Sequence, residues 1–166
     1  MKILGVDPGT IIMGYGIIEN DGDDVTLITY GNIDTRKYTA IGDRLNLLYT
    51  ELNKVIRKYR PDAVAIEQPF VGKNVSSALA IGRAQAVAML AAAGAKIPSF
   101  EYTPTQVKQR VAGYGASSKE QIQEMVRLQL SLENIPEPAD AADALAVALC
   151  HLHELHLNQL LDKGIK

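Results

Sequence analysis

Tryptophan is absent from the 166 residues, phenylalanine occurs only twice and cysteine once. Aromatic rings therefore fill little of the interior. Ile, Leu, Val and Ala must build a core that a hydrophobic content of 47% makes sizeable. The lone Cys150 forms no intramolecular disulfide. It points to a reducing compartment, and inside an apolar helix it is most simply a small core residue. No apolar run reaches the ~20 residues that span a bilayer; the longest, AVAMLAAAGA at 86–95, falls well short. The apolar stretch before Asp7 is too short for a signal peptide. The chain is thus expected to be soluble and cytoplasmic, with no membrane partner. An excess of basic charge is also missing. Lys and Arg number 17 against 19 Asp and Glu, for a net charge of -2 and a pI near 5.9. Taken alone, that balance weighs against a nucleic-acid partner.

What is present is a regular alternation of strand and helix patterns. Residues 2–7 form an apolar strand pattern, followed by strands over 13–20 and 25–34 around the acidic turn DGDD. Ile41, Leu45, Leu48, Leu52 and Val55 recur at spacings of four and three, the stripe of an amphipathic helix that Pro61 stops. DAVAIEQ at 62–68 is a fourth strand, apolar enough to be central. The Ala- and Gly-rich segment 75–94 predicts a helix of small residues, and KIPSFEYT a fifth strand. Thr103 and Pro104 supply an N-cap and first position for a short helix through Val111. Ser117 and Glu120 fit a capping box for a helix over 118–131, and a last helix begins near Ala139. The first three strands predict an antiparallel meander and the later ones parallel pairing. The expected fold class is α/β, a mixed five-stranded sheet with helices on both faces.

Four acids stand at the ends of apolar elements: Asp7, Glu67, Asp140 and Asp143. The two helical aspartates project from one face about 60° apart. A buried carboxylate costs several kcal/mol unless a cation offsets it. A helix N-terminus relieves part of that cost but cannot neutralise four acids. Two divalent cations can, and an all-oxygen ligand set selects Mg²⁺ or Mn²⁺. Two such ions ~4 Å apart activate water and stabilise a leaving oxygen in phosphodiester cleavage. Each acid also has a plainer role open to it: an Asx-turn at Asp7, an ion pair with a buried Arg at Glu67, a helix cap at Asp140. Asp143, past the cap in an apolar turn, fits a plain role least well.

The segments GVDPGTIIMGYGII, AIEQPF, KNVSSALAIGRAQAV, QVKQRVAGYGASSKEQIQEMV and PADAADALAVAL resemble, in order, the RuvC family of bacterial Holliday-junction resolvases, over residues 3 to about 152. The resemblance implies a ribonuclease H-like fold for a single nuclease domain over 1–158, with 159–166 a flexible tail. It implies a metal-binding catalytic quartet of Asp7, Glu67, Asp140 and Asp143. It also implies a homodimer that nicks two strands of like polarity in a four-way junction, leaving 5′-phosphate and 3′-hydroxyl ends, with two Mg²⁺ per site and Mn²⁺ as a substitute. RuvA and RuvB branch-migration proteins are the implied partners.

The family places an aromatic beside the catalytic Glu to stack on a base, a contact worth ~1–3 kcal/mol, and Phe70 matches it. Lys108 and Lys119 match basic positions near the scissile phosphate, and Lys73, Asn74 and Arg83 are backbone-contact candidates. Pro69 between Glu67 and Phe70 departs from the pattern, and Arg110 beside Lys108 has no assigned role. Helix 75–94 is the expected dimer interface. His153 and His156, three residues apart, lack the further ligands zinc needs. Two bound dications would bring the formal charge from -2 to about +2, and DNA responds to the local field rather than the total. A further basic cluster, Lys54, Arg57, Lys58 and Arg60, has no assigned face. Three rival readings remain at this point. One is a nucleotide-binding protein of the actin and sugar-kinase superfamily, although a second DxGT-like segment is missing. The others are a catalytically dead junction binder and an RNA-directed ribonuclease H-like nuclease.

Overall fold

The computed structural model describes residues 1–22, 24–69 and 75–164. Five strands form one sheet in the order β3-β2-β1-β4-β5: β1 Lys2–Asp7, β2 Ile12–Asp21, β3 Asp24–Asp34, β4 Ala63–Glu67 and β5 Ser99–Tyr102. The first three are antiparallel, and β4 and β5 join parallel to β1. The helices are α1 Ile41–Tyr59, α2 Val75–Gly94, α3 Pro104–Ala112, α4 Lys119–Gln129 and α5 Ala139–Gly164.

Strand periodicity sorts the core into two layers. Leu4, Val6, Val64 and Ile66 face α1 and α2, meeting Leu48, Leu52 and Ile56 of α1 and the alanines of α2. Ile3, Ala65 and Ile18 face the other way, against α3, α4 and α5. Cys150 is fully buried in that second layer. Among the described helices, α2 alone is long and apolar enough to cross a membrane by length and composition. Its Ala84, Val87, Ala88, Ala91 and Ala92 are buried against the sheet, while Val75, Leu79 and Leu90 are exposed.

Start signals decide where the shorter helices begin. Thr103 caps α3 through a full capping box with Gln106, with Pro104 in the first turn. The α4 box is one residue later than expected: Ser118 and Gln121 form it, not Ser117 and Glu120. Ser117 instead donates to the Tyr114 carbonyl at 2.6 Å, closing the preceding turn. Both registers satisfy the S-x-x-E/Q pattern, and the turn consumes the first serine. α5 runs on to Gly164, so residues 159–164 of the expected tail are helical.

α5 lies directly on the sheet because glycines remove the side chains beneath it. A Cβ at Gly5 would sit 1.9 Å from the Ala144 carbonyl oxygen, and one at Gly14 would sit 1.9 Å from that of Asp140. At Gly16 it would meet the Leu145 side chain at 2.5 Å. Gly42, in α1, has nothing within 4 Å of the corresponding position. Gly5→Ala is therefore expected to destabilise the protein by about 1–3 kcal/mol through overpacking, whereas Gly42→Ala is neutral or stabilising. Urea unfolding of both variants checks this; a Gly5→Ala loss no larger than that of Gly42→Ala would show that α5 does not rest on β1.

Candidate active site

The three acid-bearing elements end together. Asp7 lies two residues beyond Gly5, on the face of β1 that meets α5. Glu67 lies two residues beyond Ala65 on the same face of β4. Val6 pairs with Ile66 in the parallel β1–β4 ladder, so both acids close adjacent strands at the same end. Across the other ladder Asp7 pairs with Gly14, and Gly14 underlies the Asp140 carbonyl. The first turn of α5 is thereby held over Asp7. The Pro138 carbonyl accepts from the Ala141 and Ala142 amides at 3.0 and 3.3 Å, so Pro138 occupies the cap position. Asp140 sits inside the first turn, which removes the capping role as the reason for an acid there.

These acids share one electrostatic environment. Burial pushes the Asp7 carboxyl up to about 8, and Glu67, Asp143 and Asp140 each add to the rise. Asp7 and Glu67 lie within hydrogen-bonding reach of each other, and burial together with this contact raises the Asp7 carboxyl. Glu67 is also raised, by burial and then by Asp143, while Lys119 and Lys108 pull it back. The Lys119 ammonium donates to Asp143 Oδ2 at 2.7 Å. That bond raises the lysine's own pKa, and Asp7 and Asp140 contribute to the rise. Lys108, Lys119, Glu67 and Asp143 line a cleft of about 240 Å³ with Pro104 and Val107.

Among the described residues, no three His, Cys, Asp or Glu side chains already form a ligating group. Asp143 is engaged by Lys119, and Asp7 by Glu67. The donor set nonetheless suits a hard divalent cation. All the candidate ligand atoms are oxygen, and a cation would offset the burial and the neighbouring carboxylates that raise Asp7.

The structure brings Lys108 and Lys119 to the acids, from α3 and α4. Arg83 is exposed on α2 without a carboxylate partner among the described residues. Phe70, Lys73 and Asn74 lie outside the described residues. Arg110, without a role in the sequence, pairs with Glu154 of α5, and His153 Nδ1 bonds the Arg110 carbonyl at 2.8 Å. Both contacts fasten α3, which carries Lys108, to the helix that carries Asp140 and Asp143. His156 Nε2 lies 3.5 Å from Asn20 Nδ2. Two features escaped sequence reasoning. One is Gly14, whose signal was a glycine inside an apolar strand. The other is His151, 1% exposed, whose Nδ1 meets the Tyr102 hydroxyl at 2.7 Å. Tyr102 pairs with Glu67 across β4 and β5, and a histidine in the apolar run ALCHL was the available clue.

A family model described as crossover junction endodeoxyribonuclease RuvC matches residues 3–151. A Dehalococcoides mccartyi protein of that same name is 53% identical over 164 residues, covering 99% of this chain and 98% of its own. The structure of Thermus thermophilus RuvC aligns with a TM-score of 0.87 at 33% identity, over 95% of this chain and 97% of that one. T. thermophilus RuvC in complex with Holliday junction substrate aligns at 0.89 and 32% identity, over 95% and 96%. The ribonuclease H-like architecture expected from the sequence is the one the chain adopts.

The raised Asp7 carboxyl makes stability depend on pH in a fixed direction. A carboxyl with a folded pKa near 8 against 3.8 in the reference binds its proton more tightly in the folded state. Stability from this group is complete below the unfolded value and is lost as pH rises from there through about 8. In a chelator at pH 8, Asp7→Asn is expected to melt several degrees above the unsubstituted protein, at roughly 2–4 °C per kcal/mol recovered. The gap should close at pH 4. Calorimetric scans at both pH values check this; equal melting temperatures at pH 8 would show that Asp7 is neither buried nor crowded by the other acids.

Proposed function

The chain belongs to the crossover junction endodeoxyribonuclease RuvC family, and from that membership we propose that it resolves four-way (Holliday) DNA junctions. It nicks two strands of like polarity symmetrically during recombination and repair, leaving 5′-phosphate and 3′-hydroxyl ends that a ligase can seal. The observation that carries this reading is geometric: Asp7 and Glu67 close adjacent strands at one end, with the first turn of α5 seated over Asp7. A single end of the sheet holds acids from three elements, and two lysines stand at its rim.

Asp7, Glu67, Asp140 and Asp143 hold two Mg²⁺, with Mn²⁺ as a substitute. When bound, divalent cations at such a site promote ionisation of the attacking water and stabilise the leaving 3′ oxygen. Lys119 balances Asp143, and with Lys108 it presents positive charge at the mouth of the cleft, where the phosphodiester lies. Phe70 stacks on a base opened at the junction centre, and Lys73, Asn74 and Arg83 contact the backbone. Residues 1–158 form the nuclease domain, acting in the cytoplasm beside RuvA and RuvB.

The working form is a homodimer, because paired nicks require two sites related by symmetry. The outer face of α2 is the interface: Val75, Leu79, Met89 and Leu90 are all exposed there, more apolar side chain than an isolated helix face ordinarily leaves to water.

Incubation with a synthetic four-way junction and Mg²⁺ tests the reading directly. Asp143→Asn is expected to abolish nicking while junction binding persists, since a neutral amide ligates poorly; cleavage near the unsubstituted rate would remove Asp143 from the site. Phe70→Ala should slow cleavage by about 5- to 150-fold, the rate equivalent of ~1–3 kcal/mol of stacking, with a smaller effect on binding. Sedimentation at micromolar concentration should give a dimer; a monomer there counts against the α2 interface.

A further inference from the structure

A second surface with exposed lysines lies apart from the catalytic cleft, and it takes Lys54 and Lys58 from the cluster at 54–60 that the site above leaves unused. A cavity of about 420 Å³ opens between α1 and the β2–β3 edge. Tyr15 and Tyr59 form part of its floor, with Lys37, Lys54 and Lys58 at the rim. The floor is built, not incidental. Gly31 on β3 leaves room for the Tyr15 ring, whose hydroxyl would lie 2.8 Å from a Cβ at that position. Tyr59 is within hydrogen-bonding reach of Thr29 and Lys58.

The charges at the rim are not all spent. Lys54 pairs with Glu51 at 2.7 Å, and Asp34 is held by Arg36. Lys37 and Lys58 have no carboxylate partner among the described residues; each lies over a neighbouring tyrosine ring, at 5.1 and 4.9 Å. Two ammonium groups without a carboxylate partner among the described residues thus flank an aromatic-floored hollow. Its position relates it to the catalytic end. Asn32, which lines it, is in register with Gly14 and through it with Asp7. Two strand spacings, about 10 Å, separate Asn32 from Asp7.

We propose that this cavity is a second DNA-contact site, in which Lys37 and Lys58 hold the phosphodiester backbone of a junction arm beyond the cleavage point. The inference deepens the proposed function and rests on it. The occupant is the same anionic strand: the charges without a carboxylate partner are positive, and the hollow opens at the sheet edge, on the face opposite the acids but in register with them, so a duplex leaving them must extend at least about three base pairs at 3.4 Å each to reach it. The site adds affinity and grip on the arm, not chemistry, so its loss should leave the nicking step intact.

The test compares the unsubstituted protein with Lys37→Glu/Lys58→Glu, two exposed positions, using a labelled four-way junction in Mg²⁺-free buffer. The double variant is expected to bind about tenfold or more weakly at low salt. Its dependence of log K on log [salt] should be shallower by roughly two, at ~0.9 for each lost phosphate contact. Melting temperature should fall by no more than a few degrees, since Lys58 stands in the last turn of α1, and the nicking rate at saturating junction with Mg²⁺ should not change. Junctions with charge-neutral methylphosphonate linkages about three to six pairs from the crossover should weaken the unsubstituted protein but not the variant. Equal affinity and equal salt slope, or neutral linkages that weaken both proteins alike, would overturn the proposal. If the unsubstituted protein shows no preference for the junction over plain duplex, the parent reading of the function fails instead.

Discussion

The direct seating of the α5 backbone on β1 and β2 is the constraint from which the rest of the molecule follows. Gly5 and Gly14 each leave a space that a main-chain carbonyl of α5 occupies, and Gly16 makes room for Leu145. Without those absences the helix would ride higher, and its first turn would not reach the strand ends. With them, Asp140 arrives above the Asp7–Gly14 pair, and the apolar remainder of the helix closes one of the two core layers. Core and site are therefore one piece of construction: the contact that excludes water from Ala144 and Ala148 is the contact that aims the acids.

That construction concentrates negative charge where the sheet ends. Burial and three neighbouring carboxylates oppose the ionisation of Asp7. Among the described residues, only Lys119, brought by the first turn of α4, makes a direct ion pair with the group, at Asp143. Stability is given up locally for a cluster that a cation can organise. The acidic overall balance of the chain, with a net charge of -2, partly reflects this concentration. It does not describe the surfaces a polyanion would meet, where Lys108, Lys119, Lys37 and Lys58 are exposed or at a cleft mouth.

Much of this was legible in the residues alone. The helix at 75–94 and the cap at Thr103–Pro104 appear where composition and start signals place them. The mixed sheet follows from the order of elements. Boundaries set by competing side chains were less legible. Ser117 and Ser118 both suit a cap, and only the folded turn shows that Ser117 is already committed to the Tyr114 carbonyl. The acids could be named, because carboxylates inside apolar segments are costly enough to be conspicuous. Their partners could not. Lys119 is 24 residues from Asp143 in sequence, and no local pattern encodes that meeting. Arg110 looked like a spare charge until Glu154 was seen opposite it. A glycine in a strand announces only that something comes close, and it does not name the helix that does.

A rod resting in notches cannot be displaced by small amounts. The carbonyls of Asp140 and Ala144 are one turn apart and occupy adjacent notches, so the next comparable seat for α5 lies a whole pitch away, about 5.4 Å along its axis. At that offset neither aspartate would overlie the strand ends. The acid cluster is consequently indexed in an all-or-none fashion, and intermediate performance in a variant of this helix would report a mixture of seated and unseated molecules, not a uniformly weakened site.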